Sequence, residues 1–224
     1  MPMLNGTSNV WLLDVSLFRI PIVGRLCNQI LGLLYDVVVR FFRLLTWFLK
    51  RKEKVVLVHF LIVNYKLHAT DKSIFSSLVA EANQMLSHGS DIQLDFGEVV
   101  YASNSRSGAA KPFCNFKGWL HDLWRAGAYY DQQMKTMRKG FRKRSLCVVV
   151  VEDFGDGFTG CGLGPFTDYL QITWNHRKCL AHEVMHKLGL LHVKDKRNLM
   201  HPKCNGNELS SFQSWFASQS SFVN

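Results

Sequence analysis

The stretch that decides the fold is His182-Glu-Val-Met-His-Lys-Leu-Gly-Leu-Leu-His192. Its first two histidines are four residues apart, so on a helix they lie on one face, about one turn from each other. Two imidazoles in this arrangement can share one zinc ion at a Zn–N distance of about 2.0–2.1 Å. Glu183 projects roughly 100° around the helix from His182. We therefore expect its carboxylate beside the metal, where it can take a proton from a bound water.

Gly189 explains how a third ligand reaches the same ion. A helix simply continued would carry His192 to a different face, away from the metal. Glycine tolerates a positive φ, so it can end the helix and let the chain reverse. His192 can then approach the zinc from the opposite side. Three neutral nitrogen ligands leave one position open for water, which is typical of a catalytic site rather than a structural one.

The short motif of two histidines and a glutamate is weak evidence, because it recurs by chance in roughly a few per cent of chains this long. Gly189 and His192 at fixed offsets reduce that chance by roughly another 400-fold, at about one in twenty per position. The segment Asn198-Leu-Met-His-Pro202 then places Met200 eight residues after His192. Together these residues predict a zinc site of the catalytic type.

The segment from His182 to His192 resembles the extended zinc motif of the metzincin peptidases, and Met200 resembles the methionine of their Met-turn. The short step to Met200 and the Leu-Met-x-Pro order are most similar to the matrixin branch. The match covers about 27 residues, from Cys179 to Asn205. The resemblance implies an α/β (α+β) fold with a twisted, mostly parallel sheet, an active-site helix and a small C-terminal subdomain. It also implies that Met200 forms a hydrophobic floor under the three histidines and is not a ligand.

The chain departs from the family pattern at three positions near the motif. Val193 stands where many members carry a polar residue, and His201 stands where matrixins usually have tyrosine. Pro202 takes the place of a tyrosine that can touch the metal in astacins and serralysins. No pro-segment with the matrixin cysteine-switch sequence is visible, so we do not predict that Cys27 is a latency device.

The composition is that of a globular protein: 224 residues, 47% apolar and 20% charged. The six cysteines form no C-x-x-C pair, which argues against a cysteine-type zinc finger. Cys161 and Cys204 lie in loops that flank the motif, and they could pair if the compartment is oxidising. The sequence leaves that compartment open.

The net charge of +10 is concentrated in Lys135–Arg144, which carries six positive residues in ten. Such a run could bind nucleic acid, anionic lipid or an acidic substrate, but it is also typical of a solvated helix end. No nucleic-acid motif accompanies it, so nucleic acid is not an expected partner. The residues Lys187, Lys194, Lys196 and Arg197 make the surroundings of the zinc motif basic and leave a preference for acidic substrates open.

Residues 9 to 50 are rich in large apolar side chains, yet charges interrupt them too often for the 18 or so residues of a spanning helix. On a helix, one narrow polar stripe would contain Asp36, Arg40, Arg43, Trp47 and Lys50. This pattern favours a helix in a membrane interface, with the basic residues Arg51, Lys52 and Lys54 meeting anionic headgroups, and it leaves a spanning segment open as a lesser alternative. The alternative is a helix packed on the catalytic domain or on a second copy, with its polar stripe facing water.

We therefore divide the chain into an amphipathic helical segment, residues 1–53, and a metzincin-like catalytic domain, residues 54–224. We expect membrane association through residues 9–54, with the side of the membrane left open. No cleavable signal peptide is evident. Strands are predicted at 55–65, 92–102, 145–151 and 168–174, and helices at 71–87 with Asp71 as N-cap, 118–144, 177–188 and 208–218. A glycine-rich loop is predicted at 156–165.

The function predicted from these features is that of a zinc-dependent endopeptidase, with Glu183 as general base and a peptide or protein as substrate. Strand 168–174, or the glycine-rich loop before it, is expected to border the cleft and hold an extended peptide by strand addition. A contact of His176 or His201 with substrate stays open. The alternatives are a membrane-surface interaction protein with a vestigial zinc site, and a nucleic-acid binder that uses residues 135–144.

Overall fold

The computed structural model describes residues 21–46, 54–67, 71–102, 107–115, 120, 126–134, 144–162, 167–174, 176 and 179–224. Its elements are, in chain order, α1 (Pro21–Leu45), β1 (Val55–Ile62), a 3-10 turn (Tyr65–Leu67), α2 (Ser73–Leu86), β2 (Gln93–Tyr101), α3 (Ser107–Ala110), α4 (Gly127–Met134), β3 (Leu146–Val151), β4 (Gly160–Cys161), β5 (Tyr169–Thr173), α5 (Cys179–Lys187) and α6 (Ser211–Ser218). The strands and helices that the sequence predicts are present with shorter bounds. Most of the helix predicted at 118–144, and positions 9–20 and 47–50 of the N-terminal segment, lie outside the described residues.

The five strands form one mixed sheet in the order β2-β1-β3-β5-β4. β1 pairs in parallel with β2 and β3, and β3 pairs in parallel with β5. β4 runs antiparallel to β5 at the edge of the sheet. All six residues of β3 are buried, as its continuous apolar run predicts for a strand covered on both faces. The α/β class with a mixed sheet is therefore confirmed.

The pleat of β3 divides the interior into two hydrophobic clusters. Val148 and Val150 belong to the cluster that contains residues of α2 and α5. Val149 and Val151 belong to the cluster that contains residues of α3 and α4. Because successive side chains of a strand point to opposite faces, one helical layer lies on each side of the sheet. The helix with the zinc motif, α5, thus shares its layer with α2.

The N-terminus of α2 has the side-chain cap that the sequence predicts. The regular helix begins at Ser73, and Lys72 before it already has helical dihedrals, a φ of −60° and a ψ of −25°, and makes no capping hydrogen bond. The Asp71 carboxylate accepts a hydrogen bond from the Ser73 N–H at 2.9 Å, which is the bond that a capping side chain makes to the start of a helix. Asp71 therefore supplies the predicted capping bond.

α1 packs on the rest of the chain through its polar stripe. Asp36 is buried, pairs with Arg40 at 2.7 Å and accepts a hydrogen bond from the Ser221 N–H at 2.6 Å. Arg40 and Arg43 donate to backbone carbonyls of the C-terminal region. The expectation that the stripe of a packed helix faces water is therefore wrong.

Among the described residues, no helix has both the length and the apolar character needed to cross a membrane. The division of the chain between residues 53 and 54 stays a prediction, since 47–53 lie outside the described residues.

Candidate metal centre

The helix α5 ends in the way that its glycine predicts. Gly189 has a φ of +95°, in the left-handed region. Its N–H donates to the His186 carbonyl at 3.0 Å, and the Leu190 N–H donates to the Met185 carbonyl at 3.0 Å. These two bonds form a Schellman motif, which satisfies carbonyls of the last helical turn while the chain reverses.

The reversal brings the ring of His192 to the other two histidines. His192 Nε2 lies 3.2 Å from His182 Nε2 and 3.0 Å from His186 Nε2. Nitrogen atoms that share a tetrahedral zinc ion at about 2.0–2.1 Å lie about 3.3 Å from one another. The three nitrogen atoms that the motif predicts as ligands therefore meet at a spacing that one zinc ion fits.

Backbone carbonyls hold the far side of two of these rings. His182 Nδ1 lies 2.7 Å from the Leu199 carbonyl oxygen, and His186 Nδ1 lies 2.8 Å from that of Leu190. Because a carbonyl oxygen only accepts, each Nδ1 carries the proton and each Nε2 presents its lone pair to the centre. Metal-binding histidines are commonly oriented by such a bond. The donor set therefore fits a zinc ion.

The surroundings also keep the rings neutral. Burial lowers the pKa of His182, although the hydrogen bond to the Leu199 carbonyl opposes this effect. Burial likewise lowers the pKa of His186 to about 4. A neutral imidazole is the form that binds a metal. These two rings are therefore ready to act as ligands at neutral pH without losing a proton.

Glu183 lies buried against the edge strand β4. A Cβ atom added to Gly160 would lie 2.5 Å from Glu183 Oε1, and one added to Gly162 would lie 3.0 Å from Oε2. Glu183 Oε2 is buried and has no hydrogen-bond partner among the described residues. A carboxylate oxygen of Glu183 also lies within 4.8 Å of a ring nitrogen of His182. The Glu183 carboxylate therefore stands beside the imidazole of His182, and one of its two oxygens has no hydrogen-bond partner among the described residues.

Burial raises the pKa of Glu183 to about 8, and the nearby Cys179 thiol adds to the rise. A hydrogen bond from the Gly162 backbone and the charge of Lys187 act in the opposite direction. A carboxyl whose pKa lies near neutrality can both accept and return a proton, which suits a general base that later acts as an acid. A metal ion bound nearby would lower this pKa again.

The zinc motif does not identify Gly160 and Gly162, although both belong to the site. The glycine content of residues 156–165 predicts a loop, and it carries no sign that this loop approaches the helix. The contact with Glu183 joins residues more than twenty positions apart in the chain. Only the packing of β4 on α5 shows why these two positions lack a side chain.

The turn after His192 packs against the same helix. Met200 is fully buried, in the hydrophobic cluster that contains α5. Its N–H donates to Asn198 Oδ1 at 2.9 Å, and its carbonyl accepts from the Val193 N–H at 3.1 Å. These bonds fix the turn beside the histidines. The role of Met200 as their hydrophobic floor stays a prediction.

The cysteines pair differently from the expectation. Cys161 forms a disulfide with Cys114, which ties β4 to the loop after α3, so the predicted pairing of Cys161 with Cys204 is wrong. Cys204 and Cys179 are both buried and free. A hydrogen bond between these two thiols lowers the pKa of Cys179 to about 7 and raises that of Cys204.

The basic surroundings of the motif are smaller than the sequence predicts. Lys187 is fully buried, and its Nζ donates to Thr167 Oγ1 at 2.6 Å. The expectation that Lys187 contributes to a basic surface is therefore wrong. Lys194, Lys196 and Arg197 are exposed. A surface that could favour acidic substrates therefore consists of these three residues.

The basic run 135–144 is described only at Arg144. This residue donates to Ser221 Oγ at 2.6 Å, and its guanidinium lies 4.1 Å from the centre of the Phe222 ring. The simpler interpretation of the run, a solvated helix end, does not hold for Arg144, because this residue packs against the C-terminal region. The other residues of the run lie outside the described part of the chain.

The two other histidines near the motif do not belong to the set of three ligand nitrogens. His201 Nδ1 lies 3.0 Å from Asn205 Oδ1. His176 is exposed and lines an open cavity of about 400 Å³. The other residues that line this cavity are Lys66, Lys111, Glu152, Asp153, Gly157, Phe158, Thr159 and Thr173. Because Thr159 precedes Gly160, the cavity lies at one end of the edge strand.

No protein-family model matches the chain, and no curated protein matches it. Among solved structures it is similar to metalloproteinase-II from Bacteroides fragilis, with a TM-score of 0.47 and 15% identity over 74% of this chain and 52% of that one. The chain thus spans about half the length of that protein. It is also similar to a zinc-dependent peptidase from Methanocorpusculum labreanum, with a TM-score of 0.47 and 9% identity over 72% of this chain and 99% of that one.

A third similar structure is archaemetzincin from Methanopyrus kandleri, with a TM-score of 0.41 and 12% identity over 77% of this chain and 91% of that one. At these TM-scores the likeness carries no weight for function. The function has to be inferred from the residues of the site.

Proposed function

We propose that this protein is a zinc-dependent endopeptidase of the metzincin kind, with zinc held by His182, His186 and His192. The observation that carries the proposal is the meeting of three Nε2 atoms, with His192 Nε2 at 3.2 and 3.0 Å from the other two. The buried Glu183 carboxylate beside them supplies the acid–base group that a purely structural zinc site does not need. The placement in the matrixin branch stays a prediction.

The catalytic chemistry is divided between the ion and the residues of this chain. Bound at the three nitrogens, zinc would lower the pKa of a water molecule and polarise the scissile carbonyl. Glu183 takes the proton of the attacking water on its carboxylate and delivers it to the leaving amine. Its burial under β4 keeps bulk water from competing for that proton.

The edge of the sheet offers a place for an extended substrate. β4 pairs with β5 on one side, and no described strand pairs with its other side. An extended peptide can add to such an edge by main-chain hydrogen bonds. Because Gly160 of β4 touches Glu183, a peptide on this edge would lie next to the catalytic carboxylate. Residues 168–174, the other predicted border, contain the neighbouring inner strand β5.

The decisive experiment compares the wild type with Glu183→Gln on a peptide library, with and without a chelator. Zinc content is measured in both proteins. We expect both to hold zinc, and we expect cleavage by Glu183→Gln to fall by about 10²–10⁴-fold because the proton acceptor is lost. The chelator should abolish cleavage by the wild type.

Glu98→Gln is a matched control, since it makes the same change at an exposed position of β2. Its cleavage rate should equal that of the wild type. Equal activity in the wild type and Glu183→Gln would exclude the proposed mechanism.

The second candidate is a membrane-surface protein whose zinc site is vestigial, and the exposed apolar side of α1 favours it. It differs from the peptidase in one measurable respect. Such a protein would bind zinc, yet it would cleave no member of the library at any zinc concentration.

A further inference from the structure

The two sides of α1 differ in composition and in exposure to solvent. The side that faces the protein carries the charged residues. Arg40 donates to the Phe216 carbonyl at 2.8 Å and to the Leu188 carbonyl at 2.7 Å, and Arg43 donates to the Val223 carbonyl at 2.6 Å. The described charges of the polar stripe, those of Asp36, Arg40 and Arg43, therefore take part in docking and do not face the solvent.

The opposite side, which we name the outer face of α1, consists of exposed apolar side chains. Its members are Leu26, Ile30, Leu34, Val37, Val38, Phe41, Phe42, Leu44 and Leu45, and each is at least 39% exposed. From residue 30 to 45, every exposed residue of the helix is apolar. The hydroxyl of the next residue, Thr46, donates to the Phe42 carbonyl at 2.9 Å. No charged side chain interrupts this face.

The outer face is too large to be an ordinary feature of a protein surface in water. From Leu26 to Leu45 it extends over roughly 30 Å of helix at about 1.5 Å per residue. Soluble proteins seldom expose contiguous apolar patches of more than a few hundred Å², and larger ones mark sites of contact with proteins or membranes. Something other than water must therefore cover the outer face.

We propose that the outer face of α1 binds the surface of an anionic lipid bilayer, with the helix lying in the interfacial plane. The net charge of +10 is complementary to such a surface. Lys50, Arg51 and Lys52 come within seven residues of the end of α1 in the sequence, and anionic headgroups can attract such a basic group. Lys54 does not add to this group, because it pairs with Asp91.

Charge also argues against a second copy of the chain as the occupant. Two copies would each bring a net charge of +10, and the outer face offers no acidic residue to offset it. A protein partner usually contributes polar contacts around an apolar centre. The outer face presents no exposed polar group between residues 30 and 45 that could meet them. Lipid hydrocarbon needs no such group.

The docking of α1 connects this surface to the candidate site. Arg40 binds the Leu188 carbonyl, and its guanidinium lies 3.0 Å from the position of a Cβ on Gly189, at the end of α5. A helix held in the bilayer surface would thus hold the end of α5 at a fixed place relative to the membrane. The inference concerns lipid binding alone and does not depend on the proposed peptidase activity.

The test is co-sedimentation of the full chain with vesicles of phosphatidylcholine and phosphatidylserine, and with vesicles of phosphatidylcholine alone. We expect binding to the anionic vesicles, and weaker binding when phosphatidylserine is omitted or salt is raised. Phe41→Ser should weaken the binding about tenfold, since it removes one large side chain from the contact. Phe158→Ser is the matched control, because Phe158 is 52% exposed, against 56% for Phe41, and lies in the loop before β4. It should bind as the wild type does.

The alternatives give different results. A wild type that stays off the vesicles overturns the proposal. If it is then a dimer that Phe41→Ser makes monomeric, a second copy covers the face. If it is a monomer, another part of the same chain covers it. Equal loss of binding in Phe41→Ser and Phe158→Ser also overturns the proposal, and the thermal melts of both variants show whether each has kept its fold.

Discussion

Gly160 in β4 and Gly162 just after it let the backbone lie directly against Glu183, and this contact restricts where the proposed catalytic carboxylate can lie. We predict that Gly160→Ala lowers peptidase activity at least tenfold. The added Cβ would stand 2.5 Å from Glu183 Oε1, so the strand or the carboxylate must move. A misplacement of about 1 Å at a reacting group can cost about 10²-fold in rate. Peptide cleavage and zinc content measured on the same protein check this prediction.

Two other glycines provide a graded comparison. A Cβ on Gly162 would lie 3.0 Å from its nearest neighbours, so Gly162→Ala should have a smaller effect. A Cβ on Gly32, in α1, would lie 3.4 Å from the Arg144 guanidinium, an ordinary contact, so Gly32→Ala should leave activity unchanged. A loss of activity in Gly32→Ala as large as that in Gly160→Ala would contradict the explanation.

The residues of the site fall into those that the sequence predicts and those that it does not. His182 and His186 are neighbours on one helix face, and Gly189 marks the reversal that returns His192, so local chain geometry is enough to predict their meeting. The contact of Gly160 with Glu183 is set by the packing of a strand on a helix. Local patterns carry no information about such a contact, and for the same reason they missed the partner of Cys161.

At the scale of elements, α1 shows what amphipathic periodicity can and cannot predict. The spacing of Asp36, Arg40 and Arg43 places them on one side of a helix, and the structure has them there. The periodicity does not say which side is buried. In α1 the charged side is the buried one, and the reason lies at the end of another helix. The last carbonyls of a helix have no partner within that helix. Arg40 supplies that partner to the carbonyl of Leu188, next to the end of α5.

We predict that Asp36→Asn weakens the docking of α1 and removes part of the protein's sensitivity to acid. Burial pushes the pKa of Asp36 up, but Arg40 and a hydrogen bond from the Ser221 N–H outweigh burial and hold the pKa below its usual value. A carboxylate whose pKa is lower in the folded state stabilises the fold above its unfolded pKa of about 3.9. That contribution is lost as the pH falls through the folded pKa.

The expected result at pH 7 is a loss of about 1.5–3 kcal/mol in the free energy of unfolding, the range for a hydrogen bond to a charged group. As the pH falls below about 3.9 the wild type should approach the variant, because Asp36 takes up a proton first in the unfolded chain and only at a lower pH in the folded one. Urea unfolding at several pH values measures both effects. Asp95→Asn, at an exposed position of β2, is the control and should follow the wild type. If the free energies of unfolding of the wild type and Asp36→Asn changed in parallel with pH, Asp36 would contribute nothing to the acid sensitivity of the fold.

The edge strand depends on a covalent link. The Cys114–Cys161 disulfide closes a loop with a sequence separation of 47 residues. We predict that the double variant Cys114→Ser with Cys161→Ser loses about 2–4 kcal/mol in the free energy of unfolding, the usual contribution of a disulfide. Cleavage should also fall, because Cys161 lies between the two glycines that touch Glu183.

Chemical unfolding with and without a reductant tests this link. The reductant should lower the stability of the wild type to that of the double variant and leave the variant itself unchanged. Cys27→Ser, which alters a free cysteine of α1, should respond to the reductant as the wild type does. A double variant as stable as the wild type would show that the disulfide contributes nothing.

At the scale of the whole molecule, zinc would add a direct link between α5 and the segment that follows its terminal turn. His182 and His186 belong to α5, while His192 follows the Schellman motif at its end. A metal that binds only the folded chain stabilises it by about 2.7 kcal/mol when free zinc is 100 times the dissociation constant. For a chain of this size, each kcal/mol raises the melting temperature by about 2–4 °C. We therefore predict that removing zinc with a chelator lowers the melting temperature by about 5–11 °C.

The matched pair for this measurement is His192→Ala and His88→Ala. His192 is a proposed ligand, so its variant should show little change in melting temperature between zinc and chelator, because two ligands hold the ion far more weakly than three. His88 is exposed, and its Nδ1 lies 2.8 Å from the Gln84 carbonyl oxygen. Its variant should keep the full zinc-dependent shift. If His192→Ala kept that shift too, zinc would be stabilising the protein from some other place, and neither the centre nor the proposed peptidase could stand on these three histidines.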